Sequence, residues 1–196
     1  VRDAFEKFFR VPALRRWALV RAFATAHLAL LFFFAKHAER TLGVSGADLT
    51  ILALILAVAS ASTMFVVGAL ADRRGYRLVG LIGYVFGLAS FPSAIFASTP
   101  MDFYVLAALQ GVFAAADILA LVNITMELTP ETDKTASLGV LGVVLAPVSI
   151  GVPVAVGLSS EIFGLPPVLW AVFPFALAAA FLLVRTIPPI IPQRFV

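Results

Sequence analysis

Six long apolar runs joined by short polar turns constrain this chain more than anything else in it. They lie near residues 17–36, 49–71, 78–97, 103–126, 137–158 and 167–185. Each approaches the roughly 20 residues that an α-helix needs to cross the hydrocarbon of a bilayer. A soluble fold of 196 residues needs far more polar surface than 62% hydrophobic and 13% charged residues provide. Mean hydropathy is +1.05. The expected fold class is therefore an all-α membrane protein of six transmembrane helices, with lipid as its surrounding partner.

The charges fall at the ends of these runs. Of the 14 Lys and Arg, only Lys36 and Arg40 lie on the side opposite the two termini. The N-terminal segment, the turn carrying Arg73, Arg74 and Arg77, then Lys134, Arg185 and Arg194, all share the other side. That bias predicts that both termini face the cytoplasm, across a cytoplasmic or plasma membrane. A sequence pI near 9.7 might suggest nucleic acid. Basic residues confined to span ends argue against that partner, because they form no patch. With no cysteine and only His27 and His37 as histidines, the chain has neither a thiolate site nor the spacing of a zinc site, and no cofactor is expected.

Residues 1–16 mix Phe5, Phe8, Phe9 and Leu14 with basic residues, as an interfacial helix or a linker feeding the first span would. Residues 17–187 are expected to form the bundle and 188–196 a cytoplasmic tail. The chain opens on Val1, as a fragment or a translation from a non-ATG start would.

The turn between the second and third runs reads GALADRRGYR, Gly68 to Arg77. Gly68 is small enough for another helix to come close. Asp72 can accept backbone N–H bonds or meet a helix N-terminus, Arg73 and Arg77 hold the turn on one side, and Gly75 supplies the freedom of a short reversal. The spacing G-x-L-A-D-R-x-G-x-R resembles the signature loop of major facilitator superfamily (MFS) transporters, with Tyr76 where a basic residue is usual. After the fourth run, Glu127, Pro130 and Lys134 in ELTPETDK are similar to that family's E-x-x-P-x-x-x-R pattern. The resemblance implies a charge network of Asp72, Arg73, Arg77, Glu127 and Lys134 that stabilises one conformation. Ala146-Pro147 stands where the fifth helix of the family has Gly-Pro.

The resemblance further implies one six-helix half of a twelve-helix transporter, itself a nested three-plus-three inverted repeat. Ala107, where N-terminal halves often carry arginine, and an opening like that of a seventh helix point to the C-terminal half. A second half, in the same chain or as a dimer, is then an expected partner. Gly83 and Gly87, with Gly80 one turn earlier, read as close helix packing. Pro147, Pro153 and Pro174 read as kinks.

Ionisable residues inside a span are expensive and are candidate sites by default. His27 lies ten residues after Trp17, and Asp117 ten before Glu127, which puts each about 15 Å deep at the helical rise. Gln110, seven residues before Asp117, shares its helix face. Asp117 is read either as a cavity carboxylate for protons or a cationic substrate group, or as a structural partner for another helix. His27 is read as its titratable neighbour, as a substrate donor, or as a packing histidine. Arg21, nearer the helix end, is a cavity candidate that could also snorkel to the interface.

Two functions compete. One is a secondary active transporter of small-molecule substrates working by alternating access, with or without proton coupling. The other is a non-transporting six-helix scaffold or partner-binding module. An enzyme is not expected, because no G-x-S-x-G, H-E-x-x-H or paired intramembrane aspartates occur.

Overall fold

The computed structural model describes residues 2–43, 46–130 and 133–188. Among them are seven helices: α1 (Arg2–Arg10), α2 (Pro12–Leu42), α3 (Gly46–Arg74), α4 (Tyr76–Phe96), α5 (Pro100–Leu128), α6 (Lys134–Phe163) and α7 (Leu165–Thr186). The last six are each long and apolar enough to cross a membrane. They match the six runs, but α2, α3, α5 and α6 extend past them by up to a turn or more at their ends. Polar residues continue a helix readily where it emerges from hydrocarbon. The expected tail beyond residue 188, with Arg194, lies outside the described residues.

Local sequence sets the boundaries. Pro12 opens α2 at a position where no N–H is needed. Thr99 and Asp102 form a reciprocal capping box at the start of α5, with the Asp102 carboxylate accepting from the Thr99 N–H at 2.8 Å. Gly75 separates α3 from α4 at φ +83°, and its N–H closes α3 on the Ala71 carbonyl at 2.7 Å. An L side chain rarely adopts that backbone, so the reversal depends on glycine.

Packing does not follow chain order. The α3 helix packs far more on α5 than on its neighbour α2, and α6 packs more on α2 than on α5. In the same way α4 lies on α5, α7 lies on α2, and the pairs α4–α7 and α2–α5 meet across the middle. The triplets α2–α4 and α5–α7 thus exchange partners symmetrically, as a three-plus-three repeat requires. The first helix of each triplet is the most enclosed element of its repeat, and α2 and α5 carry the buried Arg21, His27, Gln110 and Asp117.

Two large apolar clusters fill most of the bundle, with a smaller one of Val67, Ala71, Val79 and Ala116 between α3, α4 and α5. One, toward the basic end, includes Trp17, Tyr84, Phe113, Ile124, Leu141 and Leu183. The other includes Leu30, Phe34, Phe91, Phe103, Leu106 and Leu169. Outside them α3 presents Leu54, Phe65 and Val66 at 62, 85 and 65% exposure, a surface suited to lipid or to another helical bundle.

The α1 helix packs on the bundle through α2 and α6. Phe8 is fully buried in the first cluster, and Lys7 reaches Asp133 at the α5–α6 connection at 3.4 Å. Hydrogen bonds to Asp3 and then Asp133 raise the Lys7 pKa above the ordinary lysine value.

Candidate functional site

Where α2 and α5 cross, Arg21 and Asp117 form a buried ion pair. The Arg21 Nη1 donates to Asp117 Oδ1, and Nη2 donates to Oδ2 at 2.9 Å, giving two parallel bonds. Nη1 also donates to the Tyr84 hydroxyl on α4 at 3.3 Å, and the guanidinium stands 5.7 Å from the Trp17 ring centroid. Trp17 is held in turn by its indole N–H, which donates to Thr125 Oγ1 at 2.9 Å. Arg21 and Asp117 are 6 and 8% exposed. Either charge alone at this depth would be severely destabilising, and the pair makes the site tolerable. Arg21 therefore does not snorkel: a carboxylate inside the bundle holds it there.

The pair lies on the wall of a cavity of about 460 Å³ between α2, α5 and α6. Thr25, Phe113, Leu145 and Ser149 are also on that wall, which is otherwise apolar. Both oxygens of Asp117 are engaged by Arg21, whereas the buried Arg21 Nε has no hydrogen-bond partner among the described residues. Arg21 Nε is thus an unmet donor inside the bundle, and each Asp117 oxygen keeps a further lone pair.

His27 and Gln110 lie behind this wall, not on it. The His27 ring stacks between Tyr84 and Phe113, with centroids 5.4 and 4.8 Å away, and meets Phe91 edge-on. Its Nδ1 lies 3.2 Å from the Ala24 carbonyl, and Nε2 has no partner among the described residues. Gly87 makes this possible: a Cβ there would clash with the His27 ring and approach Nε2 to 2.9 Å. Gly83 instead lets α4 approach α5, where a Cβ would stand 2.9 Å from that of Ala116. Gln110 is wholly buried with both amide atoms unpartnered among the described residues, beside Gly111, which presses against the Leu56 carbonyl of α3.

The signature turn joins α3 to α4 at Gly75. Arg77 donates to the Val184 carbonyl at 2.6 Å, tying α4 to the end of α7. Asp72 and Arg73 are exposed, and Tyr76 stands within electrostatic reach of both Asp72 and Glu127. Lys134 is the first residue of α6. Around Gly68 none of the described residues lies within 4 Å of where a Cβ would be. Tyr84, Trp17 and Thr125 complete the ion-pair site without having been singled out by sequence. Their signal was a polar group on an aromatic or small side chain within a span.

At the opposite end of the bundle, the two basic residues expected there converge on one carboxylate. Lys36 Nζ reaches Glu161 at 2.6 Å, and Arg40 Nη2 lies 2.9 Å from each of its oxygens.

The sequence pattern of the Major Facilitator Superfamily matches residues 17–195. No curated protein matches the chain. Six apolar helices in exchanged triplets, an MFS-type turn between α3 and α4, and a family match over nearly the whole length lead to one assignment. The chain belongs to the Major Facilitator Superfamily and is a multi-pass membrane transporter of the facilitator type.

Proposed function

We propose that this chain is the C-terminal half of a secondary active transporter of small solutes, working by alternating access against a second six-helix half. The basic end, which carries the α3–α4 turn, would face the cytoplasm. The open surfaces at Gly68 on α3 and at Gly139 and Gly142 on α6 support a partner bundle, because none of the described residues fills them.

The single observation that carries the reading is the buried, two-point Arg21–Asp117 pair on the wall of a 460 Å³ cavity. Such a pair is a poor stabiliser compared with apolar packing, so its use is sought in a switch. A proton on Asp117 removes the negative charge that holds the guanidinium. The Arg21 guanidinium, on the cavity wall, then turns to an acceptor on the solute. Loss of the proton restores the pair and expels the solute. Coupling of this kind makes proton and solute travel together, and it favours solutes with a carboxylate or other acceptor over cations.

The test is uptake into proteoliposomes with and without an imposed proton gradient. The gradient is expected to accelerate uptake by the native protein at least tenfold. In Asp117→Asn the acceleration disappears while exchange of solute at equal concentrations persists. An unchanged response to the gradient in that variant would remove Asp117 from the coupling.

A further inference from the structure

A second cavity, of about 350 Å³, lies on the other side of α6. Its walls come from α2, α6 and α7, and its lining side chains are apolar but for Thr25. Ala26 and Val156 form a buried floor, Val152 and Ala155 one side, and Phe23 stacked on Phe175 at 6.1 Å the far side. Phe175 is 55% exposed and Ala155 is also exposed, so the groove opens on the outer surface of the bundle. In a membrane that surface meets lipid.

Thr25 lines both cavities. Its hydroxyl donates to the Ala22 carbonyl at 2.5 Å, one helical turn beyond Arg21. On α6, Leu145 and Ser149 face the first cavity while Val148 faces the second, so a single turn of α6 divides the two. That turn contains Pro147, with Pro153 following. Proline removes the hydrogen bond that would tie it to the preceding turn, so α6 is loosened where it separates the cavities.

We infer that the two cavities form one site for an amphiphilic anion, whose acidic head meets Arg21 while its alkyl chain lies in the groove of Val152, Ala155 and Phe175. The inference rests on reading the Arg21–Asp117 cavity as the substrate site. The groove supplies apolar wall and no hydrogen-bonding partner beyond Thr25, which suits a chain and not a polar solute. The Arg21 guanidinium on the wall of the first cavity supplies the match for a carboxylate once a proton on Asp117 releases it. From Val148 to Val156 the groove runs about 12 Å along α6 at the helical rise. Entry would be sideways from the bilayer, past the loosened turn, with the chain leading from lipid and the head arriving last.

The experiment compares binding of butanoate, octanoate and dodecanoate to the full-length protein in lipid nanodiscs, with the matching alkylammonium ions as controls. Affinity for the carboxylates is expected to rise at least tenfold from butanoate to dodecanoate, beyond what empty nanodiscs absorb. In Ala155→Trp, which fills the groove from its exposed wall, that gain is expected to fall below twofold. Val152→Phe serves the same purpose if the first variant does not fold. An undiminished gain in both variants, or no gain in the native protein, overturns the inference. Equal binding of alkylammonium ions would mean that the groove holds bilayer chains without regard to the head, and overturns it too. The underlying reading fails separately if the paired variant Arg21→Gln/Asp117→Asn binds every carboxylate as well as the native protein does.

Discussion

Arg21 and Asp117, 96 positions apart in the chain, close a two-point ion pair between the first helices of the two helix triplets. The Tyr84 hydroxyl adds a third contact from α4, so three helices meet at one guanidinium.

Removing one member of this pair should cost more than removing both. Asp117→Leu or Arg21→Met alone leaves a buried charge without its counterion and should destabilise the bundle by about 3–5 kcal/mol. The double variant should unfold close to the native protein, within about 1–2 kcal/mol, because two apolar side chains can fill the site. Denaturant titration in detergent micelles, followed by tryptophan fluorescence, reads this out. Additive losses in the double variant would show that the two residues do not act on each other.

Gly87 and His27 should behave as a second coupled pair. Gly87→Ala places a methyl group against the imidazole and is expected to cost about 1–3 kcal/mol. Combining it with His27→Ala should recover much of that loss, since the ring it strikes is gone. Gly68→Ala, with open space around it, should stay within about 0.5 kcal/mol of native in the isolated bundle. Equal effects at the two glycines, seen in thermal unfolding, would contradict the packing described.

In the signature turn, Arg77 and Arg73 should part company. Arg77 bonds the Val184 carbonyl at the end of α7, so Arg77→Ala should lose about 1 kcal/mol and expose that helix end to hydrogen exchange. Arg73 is exposed, and Arg73→Ala should change stability by less than about 0.5 kcal/mol. Hydrogen–deuterium exchange at residues 183–187 distinguishes them. Matching protection in both variants would mean that Arg77 does not hold α7.

The α1 helix gives a simple contrast. Phe8 is 1% exposed and Phe9 43%. Phe8→Ala should cost about 3 kcal/mol and open the α1–α2 junction at Val11 to protease, whereas Phe9→Ala should do little. Limited proteolysis with mass readout decides it.

Much of the fold could be read from the sequence because its signals are local. Apolar run lengths gave the six spans, and the glycine and charges of residues 68–77 gave the reversal between α3 and α4. Depth along a helix gave the interior position of Asp117. Partnership was harder to read, because it depends on which helices exchange places. Arg21 read as a residue able to snorkel, since nothing near it in sequence supplies a carboxylate. Gln110 shares the helix face of Asp117, yet the tight α3–α5 contact at Gly111 places it behind the cavity wall. Gly87 read as a packing glycine, while the structure shows it making room for His27. Phe8 read as an interfacial residue, because its partners come from α2 and from helices more than a hundred positions away.

The central claim, that solute is carried through the Arg21–Asp117 site, is tested most directly by one transport measurement. The paired variant Arg21→Met/Asp117→Leu, confirmed as folded by its unfolding midpoint, is reconstituted beside the native protein and assayed for solute exchange across the liposome membrane. The account predicts that the variant folds and carries nothing above empty liposomes. A folded variant that exchanges solute at the native rate would contradict it.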